Sequence, residues 1–299
     1  VDIPSKQTAH VSIPAFGLGT WGMGGKMERD PANDDERDVS MLRQALASGV
    51  THIDTAESYA AGHAETLVGQ AMEGNPRNDL FVASKVYGTN LSHDGVVKAC
   101  EASLKRLGTS YLDLYYIHYR NPDFPLEETA RALNTLRRDG LIRNVGVCNF
   151  TVQSMKDLQL HLEMPIVANQ SHYNLVYREP EKAGVLDHCQ SVGALFIAWR
   201  PIAWHDAKRG NPTAGNAWDT GVYPILDEVA RRYGRTNLQV AINWLIGQPN
   251  VCTLVKASQP QHLQEILGAV EWRLSDDDIE LLRRDFPDQR DVSPVVPLG

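Results

Sequence analysis

The sequence predicts an α/β fold: a single (β/α)8 TIM barrel over residues 1–299, with a short N-terminal strand or hairpin ahead of it and a C-terminal extension behind. Three observations predict it. Eight short runs rich in β-branched and apolar residues recur along the chain, at 16–19, 52–55, 80–85, 112–118, 145–149, 166–170, 195–199 and 253–255. Each is followed by a stretch whose apolar residues repeat at helical spacing. Almost every run ends in a hydrogen-bonding or charged residue, as expected where parallel strands open onto a site at one end of a barrel.

The elements follow in order. The opening AHVSIPAFGLG reads as a strand or hairpin that closes the N-terminal end of the barrel. Asn33 or Asp34 offers a side-chain oxygen to the first turn of a helix starting near Asp35, and Gly49 supplies the left-handed residue after its last turn. The second strand leads to a helix from His63 that stops at Gly74. The third leads to Ser92-His93-Asp94 ahead of GVVKACEASLKRLG, ended by Gly108. A helix from near Leu126 ends at Gly140, Thr151 caps VQSMKDLQLHL, and further helices begin near Glu181, Tyr223 and Gln261, with an additional one near Leu238. The proline-rich tail DVSPVVPLG reads as a surface extension. A doubly wound open sheet is the competing arrangement, but it wants a glycine-rich fingerprint directly before its first helix. GLGTWGMGG at 17–25 is followed instead by KMERDPANDD, so the match is weak. No linker, repeat or low-complexity tract divides the chain.

Composition narrows the function classes. With 42% hydrophobic and 22% charged residues, the chain has enough apolar material for a large core. A net charge of -8 argues against a nucleic-acid partner, which needs a surplus of Lys and Arg. Cys100, Cys148, Cys189 and Cys252 are scattered without a C-x-x-C pair, which points to a reducing, cytoplasmic setting. No run approaches the roughly 18 apolar residues that span a bilayer, and the first residues lack the build of a signal peptide. His161, His172, His188 and His205 show neither H-x-H nor H-E-x-x-H spacing, so no metal site is expected.

The polar residues at the strand ends carry the chemistry. They are Asp54, Lys85, His118, Asn149, Gln170, Trp199 and Lys256. Each alone has an ordinary explanation: Asp54 as a helix cap, Lys85 as a solvated strand end, His118 as a satisfied core histidine, Tyr59 as packing. Gathered on one barrel face they form a dense charged cluster with no structural purpose. A lysine beside a tyrosine is expected to lower the phenol pKa from about 10, while a carboxylate keeps that lysine charged. That is a general acid suited to a carbonyl oxygen receiving a hydride. A Schiff-base role for Lys85 would need a neutral amine, which Asp54 disfavours.

Asp54, Tyr59, Lys85 and His118, in D-T-A-x-x-Y, S-K and Y-I-H contexts, resemble the catalytic tetrad of the aldo-keto reductase superfamily. GLGTWG, RNVGVCNF at 143–150, NQSHYN at 169–174 and VKASQPQHLQEIL at 255–267 resemble its other motifs in the same order, so the likeness spans nearly the whole chain. The resemblance implies NAD(P)H-dependent reduction of an aldehyde or ketone, with Tyr59 as general acid, Lys85 and Asp54 tuning it, and His118 positioning the carbonyl. It implies cofactor contacts from Gly19, Thr20, Trp21, Asp54, Cys148, Asn149 and Gln170, from Trp199 stacking on the nicotinamide, from Arg200, Pro201 and Ile202 after it, and from Lys256, Ser258 and His262 at the adenine end. The partner it implies is a small-molecule carbonyl substrate, and Trp21, Tyr87 and Tyr119, beside tetrad members, make an aromatic pocket mouth. The segment 203–221, a loop-like mix of Gly, Asn and Pro, reads either as a cover for the cofactor pyrophosphate, with Trp204 and Trp218 touching substrate, or as a surface loop with incidental aromatics.

Departures from the family pattern are specific. Cys148 stands where a serine is usual, and Arg200 where a serine is common. His262 replaces an arginine clamp and Ile266 an adenine-contacting asparagine. NADPH is the expected coenzyme, with NADH as the alternative, because neutral His lacks the bidentate phosphate grip of Arg. The competing functional reading is a non-catalytic nicotinamide-binding sensor subunit built on the same barrel.

Overall fold

The structure is a computed structural model in which residues 1–201 and 221–299 are described. Two short strands, β1 (Ser5–Gln7) and β2 (Ser12–Pro14), form an antiparallel hairpin. The strands β3 (Phe16–Gly19), β4 (His52–Asp54), β5 (Phe81–Val86), β6 (Leu114–Ile117), β7 (Val145–Cys148), β8 (Ile166–His172), β9 (Leu195–Trp199) and β10 (Val251–Val255) follow. These last eight pair in parallel, each with its neighbour in sequence, and β10 pairs with β3 to close the barrel.

Helices α1 (Asp35–Ala47), α2 (His63–Met72), α3 (His93–Leu107), α4 (Leu126–Arg138) and α5 (Val152–Gln159) alternate with the early strands. Their starts are capped as the sequence suggests: Asp34 accepts from Arg37 N, Ser92 from Gly95 N and Thr151 from Ser154 N. Gly49, Gly74, Gly108 and Gly140 all have positive φ.

The later helices are α6 (Glu179–Lys182), α7 (Val185–Ser191), α8 (Pro224–Tyr233), α9 (Asn237–Gly247), α10 (Pro260–Leu267) and α11 (Asp276–Asp285). Two differ from expectation. The single helix expected near Glu181 is split by Gly184 at φ 72°, a left-handed residue that ends one turn and starts another. Helix α11 was not foreseen, although Ser275 caps it through Asp278 N, three aspartates occupy its first turn and Arg283 and Arg284 its last.

Period-two alternation sorts the strand side chains between two apolar regions. Val82, Tyr115, Ile117, Val145, Val147 and Phe196 face outward into the large core beneath the helices. Ala83, Leu114, Tyr116, Cys148, Ala168 and Ile197 face inward, with Ile13 of β2 joining them from the hairpin. The hairpin thus closes the N-terminal end, and the same alternation directs Asp54, Lys85 and Gln170 inward near the C-terminal end. The tail is not a loose extension: Val292 is exposed, but Ser293 is only 3% exposed and lies against His172 of β8.

Candidate active site

Lys85 has no exposed surface. Its Nζ pairs with Asp54 Oδ1, donates to Thr55 O at 2.8 Å and lies 3.5 Å from the Tyr59 hydroxyl, so the three ammonium donors all have partners. Asp54 Oδ2 accepts from Gln170 Nε2 at 2.8 Å. Burial works against the charge on Lys85, but the Asp54 carboxylate, helped by Tyr59, raises its pKa above the usual value. The amine therefore stays protonated, which removes the Schiff-base chemistry.

Tyr59 corrects the expectation. Burial raises its pKa above that of an ordinary phenol; Lys85 lowers it, Asp54 raises it, and the net direction is upward. The reason is that an ammonium already neutralised by Asp54 cannot offset the lost hydration of a phenolate. The phenol therefore holds its proton, as a donor must. His118 is 6% exposed, and burial, with Lys85 adding to it, keeps its imidazole neutral. Its Nδ1 lies 3.4 Å from Ser58 Oγ, and its ring centroid lies 5.6 Å from that of Tyr59. A neutral ring with its proton on Nε2 would leave Nδ1 to accept from the Ser58 hydroxyl.

Local backbone conformation sets the position of Tyr59. Ala60 and Ala61 have φ of 51° and 52°, and Gly62 follows at 89°. The loop ahead of α1 holds this left-handed turn, with Lys26 O and Met27 O accepting from Ala60 N at 2.5 Å and Ala61 N at 2.8 Å.

Aromatic rings surround the tetrad. Trp21, exposed on its outer side, meets Tyr59 edge-on at 5.0 Å. Tyr119 stacks on His118 at 4.4 Å, and Tyr87 contacts both rings at 5.7 and 5.9 Å. Glu57, which sequence reasoning missed, shapes this wall: its Oε1 accepts from Tyr87 N at 2.6 Å and Asn90 Nδ2 at 2.9 Å, and burial raises its pKa.

The residues expected around the nicotinamide lie beside the tetrad. Thr20 N and Oγ1 both donate to Asp54 O, at 3.0 and 3.2 Å, so the Gly19-Thr20-Trp21 turn is tied to β4. Asn149 adopts φ 60°, with its N–H donating to Gln170 O at 2.9 Å. Among the described residues its buried Oδ1 has no partner. Such an acceptor suits a carboxamide N–H. Cys148 is buried in the inner apolar region, and burial pushes its thiol pKa up. Trp199 stacks on His172 at 4.6 Å, and Arg200, exposed at φ 53°, lies over the same indole at 5.6 Å; Pro201 is buried. Ile202 and the loop residues Trp204 and Trp218 lie outside the described residues.

At the far end Lys256, Ser258 and His262 are exposed. A Cβ at Gly22 would stand 3.0 Å from Lys256 Nζ, so the ammonium reaches over the loop after β3. Ile266 is 2% exposed and packs into the outer core.

A family model for the aldo/keto reductases matches residues 15–284. The chain belongs to the aldo/keto reductase family. The reductase is 36% identical over 278 residues to the methylglyoxal reductase YeaE of Escherichia coli (strain K12), covering 93% of this chain and 92% of that one. Among solved structures, the thermostable aldo-keto reductase Tm1743 in complex with the inhibitor epalrestat has a TM-score of 0.84 at 40% identity, covering 93% and 98% of the two chains. An aldo/keto reductase from Klebsiella pneumoniae in complex with NADP and acetate has a TM-score of 0.80 at 30% identity, covering 100% of each. This aldo/keto reductase is an NAD(P)H-dependent oxidoreductase of carbonyl compounds. Besides Glu57, sequence reasoning missed Ser58, Asn174, Ser293 and a site role for His172. Only His172 carried a signal, standing two residues beyond Gln170 on the same strand face.

Proposed function

We propose that Tyr59, Lys85, Asp54 and His118 are the catalytic residues of this reductase, and that NADPH is its preferred coenzyme, with NADH also accepted. The observation that carries this reading is the sealed Lys85 ammonium, with Asp54 on one side and the Tyr59 hydroxyl 3.5 Å away. When bound, the dinucleotide supplies a hydride to the carbonyl carbon. Tyr59 gives its phenolic proton to the carbonyl oxygen, and Lys85 stabilises the phenolate left behind. Asp54 keeps Lys85 charged throughout. Neutral His118 offers a hydrogen bond to the same oxygen without competing as an acid. In the alcohol direction the phenolate takes the proton back.

Asn149 Oδ1 and the Trp199 ring would hold the nicotinamide end, with Gly19, Thr20, Gln170, Cys148 and Arg200 around it. Lys256 and Ser258 would meet a 2'-phosphate. The exposed His262 lacks the fork of an arginine, which supports acceptance of NADH. Similar proteins include both kinds: the Klebsiella enzyme was solved with NADP, and a chain 27% identical from Escherichia coli (strain K12) is an NADH-specific methylglyoxal reductase. The aromatic wall of Trp21, Tyr87 and Tyr119 suits a small, uncharged carbonyl compound, and methylglyoxal is the first to test.

The charge of -8 supports the absence of a nucleic-acid partner. No helix among the described residues is long and apolar enough to cross a membrane, and four buried free thiols support a cytoplasmic setting for one barrel domain. The test is titration with NADPH and NADH by tryptophan quenching, followed by coenzyme oxidation with methylglyoxal. Tyr59→Phe is expected to bind coenzyme normally and turn over about 10²- to 10⁴-fold more slowly. Near-normal turnover of that variant would overturn the assignment. Lys256→Ala is expected to weaken NADPH about tenfold and leave NADH unchanged, as loss of one charge-assisted hydrogen bond would do.

A further inference from the structure

A segment remote in sequence reaches the same site. After α11 the chain runs back along the loops that follow β8 and β7. Arg290 N donates to Val176 O at 2.7 Å, and Arg290 O accepts from Arg178 N at 2.9 Å. Glu179 then takes two tail amides, Ser293 N at 2.8 Å and Leu298 N at 3.2 Å. Finally Gly299 N donates to Asn149 O at 2.9 Å, while Gly299 O accepts from Thr151 N at 3.3 Å and Ser154 Oγ at 3.0 Å.

The buried member of this strap is Ser293, whose hydroxyl lies 2.8 Å from His172 Nδ1. The His172 ring is held between Tyr177 at 4.4 Å and Trp199 at 4.6 Å, nearly parallel to the latter at 15°. Asn174 lies against the other ring nitrogen. Asn174 Oδ1 accepts from Val176 N and Tyr177 N, so Nδ2 is the donor, to Arg200 O at 2.8 Å and toward His172 Nε2 at 3.4 Å. Ser293 Oγ also accepts from Val295 N and Val296 N, both at 3.3 Å, so the one hydroxyl ties His172 to the turn of the strap. Burial, with Arg200 adding to it, lowers the His172 pKa to about 3, so the ring stays neutral.

We propose that segment 290–299 positions the nicotinamide end of the coenzyme, with Ser293 fixing His172 as the plate behind Trp199 and the backbone at Gly299 holding Asn149. The inference rests on reading Trp199 and Asn149 as nicotinamide contacts. Trp199 ends β9 and Asn149 follows β7, both beside β8, and the strap touches Asn149 directly and Trp199 through His172. Holding both before binding lowers the ordering cost of the coenzyme ring. Ser293 and His172 act through Trp199 and are positioning residues.

The test compares two ligands by calorimetry: NADPH, and adenosine 2',5'-bisphosphate, which lacks the nicotinamide half. Ser293→Ala, which removes the hydroxyl shared by His172 Nδ1, Val295 N and Val296 N, is expected to raise the Kd for NADPH about five- to tenfold and to leave the fragment within about twofold. Ser293→Thr, which keeps the hydroxyl, is expected to restore NADPH binding. Equal weakening of both ligands, or no change in either, would overturn the proposal, since a merely structural role would not separate them. Wild-type protein that binds the fragment as tightly as NADPH would instead overturn the nicotinamide reading of Trp199 and Asn149, and the proposal with it.

Discussion

Lys85 carries a full charge where no surface reaches water, and its cost is offset chiefly by the close Asp54 carboxylate, with Thr55 O and the Tyr59 hydroxyl taking its other donors. Removing one partner leaves the other buried and uncompensated. Lys85→Met is therefore expected to destabilise the fold by about 3–5 kcal/mol in urea unfolding. Replacing both partners, Lys85→Met with Asp54→Leu, is expected to recover most of that loss while turnover stays abolished, which separates the stability role of the pair from its chemistry. A double variant no more stable than the single one would show that the two charges are not coupled.

The loop from β4 to α2 works as one piece. Tyr59 begins a turn whose next two residues, Ala60 and Ala61, adopt the left-handed conformation that costs an L-residue about 1–2 kcal/mol. Bonds from Lys26 O and Met27 O hold it there. Ala61 is exposed and has no packing to lose, so Ala61→Gly relieves the strain at a smaller entropic cost. The expected gain is up to about 1 kcal/mol, or roughly 2 °C in Tm for a chain of this size, with turnover unchanged. A lower Tm would mean that the alanine methyl is part of what holds the turn.

At the scale of the whole barrel, three histidines among the described residues are buried and neutral: His52, His118 and His172. Burial lowers His52 to about 4 and His172 to about 3, and holds His118 well below its usual value. In the unfolded chain each titrates near 6.5, so below that pH the unfolded state binds protons that the native state refuses. The sign is a loss of stability as pH falls from about 6.5 toward 4, approaching roughly 1.4 kcal/mol per pH unit for each histidine. Urea midpoints are expected to be similar at pH 7.5 and 8.5 and clearly lower at pH 5. An unchanged midpoint at pH 5 would mean that these rings are hydrated or already charged in the fold.

The alternation of strands and helices, the caps at Asp34, Ser92 and Thr151, the glycine stops and the strand-end cluster were all legible, because periodicity, capping and parity are properties of neighbouring residues. The helix after Ser275 carried the same signals and was overlooked; Gly184 divided another that periodicity had joined. The sequence by itself therefore determined the barrel, the starts and stops of most of its helices, and the presence of Asp54, Tyr59, Lys85 and His118 near one end. Tertiary structure alone decided three things. The direction of the Tyr59 pKa follows from burial, the left-handed turn at Ala60 and Ala61 from distant carbonyls, and the meeting of Ser293 with His172, 121 positions apart in sequence, from the folded chain. Each depends on the dielectric or the partner that remote segments bring, and no local pattern encodes those.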